Sequence, residues 1–112
     1  MGLLHHANYL VYFEQARTEL LRQQGLTYRD MEDQGFFLVI TNVVVKYKSP
    51  AKYDDVLSIK AIVSRTTPVR IEHTYDVTSE GRSVAEGKTT LACVDRTGKL
   101  QALPNWFQGR RG

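Results

Sequence analysis

The sequence predicts an α+β domain, one long helix followed by about four antiparallel strands, and three observations carry that expectation. Tyr9, Tyr12, Phe13, Ala16 and Leu20 recur at the spacing of one helix face. From Phe36 onward the pattern changes to β-branched and aromatic runs, the clearest of which alternates apolar and polar side chains. Turn-forming clusters at Arg65-Thr66-Thr67-Pro68 and Ser79-Glu80-Gly81-Arg82 punctuate those runs, and neither repeat nor linker interrupts them. A long helix set against an antiparallel sheet is an α+β arrangement.

The helix follows a glycine turn and two histidines. Asn8 is its expected N-cap, because a side-chain oxygen there accepts from a free backbone N–H. Gln15, Thr18, Glu19 and Arg22 fall mainly opposite the apolar stripe, and Glu14 lies on a flank with Leu10, Arg17 and Leu21. Gln24-Gly25 ends the element, since glycine takes the left-handed conformation without a Cβ penalty. Leu26 to Gly35 is polar and acidic, with room for another helical turn.

Residues 36–47, FFLVITNVVVKY, are apolar on both faces and read as a strand with little solvent exposure. Lys48-Ser49-Pro50-Ala51 breaks it. Asp54-Asp55 precedes a strand in which Leu57, Ile59, Ala61 and Val63 alternate with Ser58 and Lys60. Val69, Ile71, His73, Tyr75 and Val77 alternate with Arg70, Glu72, Thr74 and Asp76 in the next. Residues 83–95 form the last, with Ala85, Gly87, Thr89, Leu91 and Cys93 on one face, small enough for a helix to lie close. Arg96-Thr97-Gly98 then turns the chain into a tail expected to be short and partly ordered.

A chain of 112 residues is one domain, residues 1–112, with a single core that would gain from oligomerisation. One cysteine leaves no intramolecular disulfide framework and fits a reducing compartment. No run reaches membrane-spanning length, and the N-terminus lacks the basic region and apolar core of a signal peptide, so the expected location is cytoplasmic, without membrane insertion. The net charge of +3 mildly favours anionic ligands. The basic residues are spread along the chain without a nucleic-acid motif, so nucleic acid is not the expected partner.

Chemistry concentrates at the start of the helix. The first backbone N–H groups there have no intrahelical partner and suit a developing negative charge. The His6 imidazole could hold substrate or shuttle a proton near neutral pH, or simply cap local structure. Adjacent histidines without a nearby cysteine match no metal-ligand pattern. Glu14 is the nearest acid on the helix, and an ion pair with Arg17 at i, i+3 is its expected role. Tyr9, Tyr12 and Phe13 are core by pattern, and Tyr9 could also line a pocket at the helix mouth. Asp54 and Asp55 read as turn residues, His73 as a hydrogen-bonded core or interface histidine, and Cys93 as packing.

Gly2-x-x-x-His6-x-x-Tyr9, followed by Phe13-Glu14-x-x-Arg17, resembles the start of the central helix in hotdog-fold acyl-CoA thioesterases. The similarity is greatest to the 4-hydroxybenzoyl-CoA thioesterase-like group, which includes the Tol–Pal-associated enzymes. It continues in Tyr47-x-x-Pro50-Ala51-x-x-Asp54-Asp55, in Cys93-Val94-Asp95 and in Ala102-Leu103-Pro104, and so covers nearly the whole chain in order.

The resemblance implies a helix wrapped by an antiparallel sheet, active sites at a subunit interface of a homodimer or homotetramer, an acyl-CoA substrate and no cofactor. It also implies a strand before the helix and an aspartate in an Asp-x-x-Gly turn whose glycine corresponds to Gly2. That strand and that aspartate would lie upstream of Met1, so the expectation is an N-terminally truncated domain. His6 takes the position whose backbone N–H polarises the thioester carbonyl. Glu14 is the alternative carboxylate, as a helical glutamate serves in a related subgroup. Arg65, Thr66, Thr67 and Arg70 surround the loop that lies near the pantetheine and nucleotide, where charge and hydroxyls suit phosphate, although an ordinary exposed hairpin is an equal reading. The rival to hydrolysis is a non-catalytic acyl-thioester binding or scaffolding subunit. A basic domain that binds nucleic acid is a weaker third.

Overall fold

The computed structural model describes residues 6–49 and 56–104, with side chains from Tyr9 onward. Gly2, His5, the Pro50–Asp55 stretch, the tail from residue 105 and the side chains of His6 and Asn8 lie outside that description. Two helices, α1 (His6–Gln23) and α2 (Tyr28–Asp33), precede four strands, β1 (Phe37–Tyr47), β2 (Ser58–Thr66), β3 (Arg70–Ser79) and β4 (Arg82–Val94). The strands form one antiparallel sheet in the order β1-β4-β3-β2. The α+β expectation holds.

The start of α1 differs from the expectation. The helix begins at His6, which places Asn8 inside it rather than at its cap. Its end is as read: Gly25 takes φ +80, the Leu26 amide donates to the Leu21 carbonyl at 3.3 Å and the Gly25 amide to the Arg22 carbonyl at 2.9 Å. That is the paired closure of a Schellman motif, and Leu21 and Leu26 share one apolar cluster beside it. Thr27 caps α2, its hydroxyl accepting from the Asp30 amide at 3.0 Å.

The buried stripe of α1 also runs differently. Tyr9, Phe13, Arg17 and Leu21 are its buried residues, while Tyr12, Ala16 and Leu20 are half-buried. The i, i+4 row therefore includes an arginine that polarity had placed on a flank. Phe13 stacks on Tyr75 with ring centroids 4.2 Å apart and lies over Gly87. A Cβ at Gly87 would meet the Phe13 ring inside 3.0 Å, a separation real Cβ atoms essentially never show. The small residues of β4 thus let the helix lie against the sheet, as their pattern suggested.

The strand read as most buried is an edge. β1 pairs with β4 alone in the described sheet, and Val39, Ile40, Val44 and Tyr47 are exposed. Apolar character on both faces predicted burial; with no described neighbour on its outer side, β1 remains open. Both edge strands carry a register irregularity, between Ile40 and Asn42 and between Val63 and Arg65. The β3–β4 hairpin closes with Glu80 at φ 54 and Gly81 at φ 79, two left-handed residues as a two-residue turn of type I′ requires.

Gly87→Val should destabilise the protein by about 1–3 kcal/mol, because the fully buried Phe13 ring, stacked on Tyr75, has nowhere to move. In denaturant titrations a Phe13→Leu change on that background should recover part of the loss, giving a non-additive cycle.

Candidate active site

His6 is the first described residue of α1, and the opening N–H groups of an α-helix have no i−4 partner. Tyr9 is buried one turn on, edge-on to Tyr12 at 6.2 Å and to Tyr47 at 5.6 Å. The same cluster contains Phe13, Tyr75, Val77, Val84 and Ala85. Glu14 stands two turns along α1, about 12 Å from His6 at 1.5 Å per residue.

The Glu14–Arg17 ion pair does not form. Glu14 is exposed, whereas Arg17 is turned inward and only 6% exposed. Arg17 Nη1 donates to the Tyr75 hydroxyl at 3.2 Å, and that hydroxyl lies 2.6 Å from Thr89 Oγ1. Arg17 Nε is buried without a partner. Tyr28 approaches from α2: burial pushes its phenol up, against the pull of the Arg17 guanidinium beside it. Glu14, Arg17 and Tyr28 border one cavity of about 210 Å³, walled by Phe36, Leu38 and Leu91.

His73 sits beside this cluster, 3% exposed, with its ring 6.2 Å from that of Tyr75. Its Nδ1 is buried without a partner. Burial first, and the Arg17 charge second, hold the imidazole down to about 4, so it is neutral at physiological pH. Cys93 is fully buried, its thiol pushed up by burial.

The predicted phosphate loop lies elsewhere. Arg65 and Arg70 are exposed, and the Thr67 hydroxyl is engaged by the Arg70 amide at 2.9 Å, which closes the turn. The Leu103 amide donates to Pro68 there, and Leu103 belongs to the cluster of Leu21, the far end of α1. An 18-residue helix is about 27 Å long, so within one chain His6 and Tyr9 stand at one end and the 65–70 turn at the other. The structure brings Tyr9 close to the helix mouth and Glu14 close to Arg17, but does not gather the two sets. Sequence reasoning missed Arg17; the signal was its place between Phe13 and Leu21 in an otherwise apolar i, i+4 row.

This fold and this helix mouth describe a hotdog thioesterase class. The family described as the Thioesterase-like superfamily matches residues 1–110, and the chain belongs to it. The acyl-CoA thioester hydrolase YbgC of Escherichia coli O6:H1 is 30% identical over 105 residues, covering 92% of this chain and 78% of that protein. A DHNA-CoA thioesterase from Staphylococcus aureus superposes with TM-score 0.88 at 31% identity, covering 96% of this chain and 76% of that one. A hypothetical protein from Aquifex aeolicus superposes with TM-score 0.89 at 34% identity, covering 96% and 84%. The helix and antiparallel sheet are those of this family.

The His73 imidazole has a lower pKa folded than its ordinary 6.5, so the unfolded chain binds the extra proton between the two values. Stability should therefore decline as pH drops from about 6.5 toward about 4. Thermal melts across that window should show a shallower decline for His73→Leu than for the native chain.

Proposed function

We propose that the protein hydrolyses the thioester of an acyl-CoA to the free acid and CoA, in the cytoplasm, as a homodimer or larger homo-oligomer. The observation that carries this reading is membership of the thioesterase-like superfamily over residues 1–110. In this reading the His6 amide N–H donates to the thioester oxygen and stabilises the oxyanion as a carboxylate activates water or attacks the carbonyl. Gly2 shapes the turn before the helix, and Tyr9 borders the acyl group. Glu14 is the carboxylate candidate within the chain. Its separation from His6 along α1 means that one chain cannot set both on the same carbonyl, and a second chain supplies one of the two.

The open edge of β1 supports that assembly. Antiparallel pairing of β1 with the same strand of a second copy satisfies its outward N–H and C=O groups and covers the exposed apolar residues. Tyr47 at one end of β1 packs near Tyr9, and Phe37 at the other lies toward α2. Two-fold pairing sets the Phe37 end of one β1 beside the Tyr47 end of the other; in this reading Arg65, Thr66, Thr67 and Arg70 contact the nucleotide of CoA.

A second reading is a subunit that binds acyl thioesters without cleaving them. Free-thiol release from a panel of acyl-CoAs separates the two: release supports hydrolysis, whereas CoA binding without release favours the binding subunit.

His6→Pro removes the amide N–H at a helix position proline tolerates, and should lower kcat about 10²–10³-fold with little change in KM. His6→Ala keeps the amide and should cost far less; equal losses would assign the effect to the imidazole instead. Sedimentation should give the native chain at twice the 12.8 kDa mass or more, and Ile40→Lys on the β1 edge should shift it toward monomer.

A further inference from the structure

We propose that Tyr47, at the end of β1, is a specificity-determining residue of the thioester site, its ring favouring an aryl acyl group over a saturated one of the same size. This rests on the thioester reading, because it assigns one wall of the site that the His6 amide opens.

Tyr9 borders that site only from beneath. It is 2% exposed, held between Tyr12 at 6.2 Å and Tyr47 at 5.6 Å, so a neighbour has to present the surface that a substrate touches. Tyr12 is half-buried and packs against the core cluster. Tyr47 is 52% exposed and stands edge-on to Tyr9, with 70° between the ring planes.

The backbone directs the Tyr47 ring to the helix mouth. Tyr47 pairs with Ala85, and two residues earlier Val45 pairs with Gly87, which lies beneath Phe13. Strand side chains alternate between faces, so Val45 and Tyr47 both rise on the face that α1 covers. Helix side chains lean toward the N-terminus, which carries the Tyr9 ring back toward the turn that holds His6. Tyr47 packs against that ring. An acyl group whose carbonyl oxygen accepts from the His6 amide extends from this turn along the Tyr47 wall.

The chemistry of the wall sets the preference. Tyr47 is already packed edge-to-face on Tyr9, so little side-chain freedom is lost when a ligand settles on it. Two aromatic rings gain more than the area they bury, because the positive edge of one meets the negative face of the other. A saturated ring has no such quadrupole and gains the area alone.

The test uses the full chain with Tyr47→Leu and Tyr47→Phe, and compares benzoyl-CoA with cyclohexanecarbonyl-CoA, which carry equal numbers of carbons. Relative to native protein, Tyr47→Leu should lower the benzoyl-to-cyclohexanecarbonyl ratio of kcat/KM about two- to tenfold, chiefly through KM, and Tyr47→Phe should preserve it. Comparing each variant with native protein cancels the intrinsic reactivities of the two thioesters. S-benzyl-CoA and S-cyclohexylmethyl-CoA, thioethers that cannot be hydrolysed, give the same ratio as dissociation constants by calorimetry. A Kd ratio that falls in Tyr47→Leu without any turnover upholds the role of Tyr47 while the hydrolase reading fails. Turnover with both ratios unchanged in Tyr47→Leu overturns the proposal and leaves hydrolysis standing. Loss of the preference in Tyr47→Phe overturns it as well, because the hydroxyl and not the ring would then select the ligand, and so does native protein that binds neither thioether. Sedimentation of the same variants tests the rival role: Tyr47→Leu falling to monomer mass with its ratios unchanged makes the ring a subunit contact instead.

Discussion

The structure depends on how closely α1 can approach the sheet, and that distance is set where the Phe13 ring lies on Gly87. A side chain on β4 at that point would hold the helix off by the thickness of a methyl group or more. The stacking of Phe13 on Tyr75, the burial of Tyr9 and the depth of Arg17 all follow from the absence of that one carbon. Interiors pack at near-crystalline density, so a helix set against a flat patch transmits its position along its whole length. The helix mouth and the Arg17 cavity lie on the same rigid rod, three turns apart.

The energetics of that rod are uneven. Its first half buries aromatic rings against β3 and β4, a favourable transfer of large apolar area out of water. Its second half buries a guanidinium beside two phenols and a neutral imidazole, where desolvation works against the fold. Leu21, Met31, Ile71, Cys93 and Leu103 close the far end with a second apolar cluster. Arg17 is thus a polar insertion between two apolar units, tolerated because the Tyr75–Thr89 hydroxyl pair and Tyr28 receive part of its hydrogen bonding.

The edge strand connects this packing with function. β1 is apolar on both faces, yet within one chain it is covered only in part. An open edge of that composition is an aggregation liability unless something pairs with it. The same strand contributes Leu38 and Ile40 to the Arg17 cavity and Tyr47 to the aromatic cluster at the helix mouth. Whatever covers the edge therefore adjoins the aromatic cluster at the helix mouth.

Much of the architecture was legible in the chain because it is local. Alternation over residues 69–77, the Glu80-Gly81 turn, the Gly25 helix stop and the small residues of β4 are written in neighbouring side chains, and backbone sterics translate them directly. Membership of the thioesterase family was legible as well, since its motifs recur in order along the chain. Residues 36–47 show where local reading fails: composition records that a strand is apolar, but whether it is central or at an edge is decided by which strands pair beside it. Arg17 and His73 are the same lesson at the site. The place of Arg17 in an apolar row marks it for burial, but nothing in the sequence shows that Arg17 or His73 lacks full partners, because that depends on α1, α2 and β3 converging from distant parts of the chain. The sequence by itself determined the elements and the family; only tertiary packing decided which polar groups lost their water, because desolvation is a property of the assembled interior.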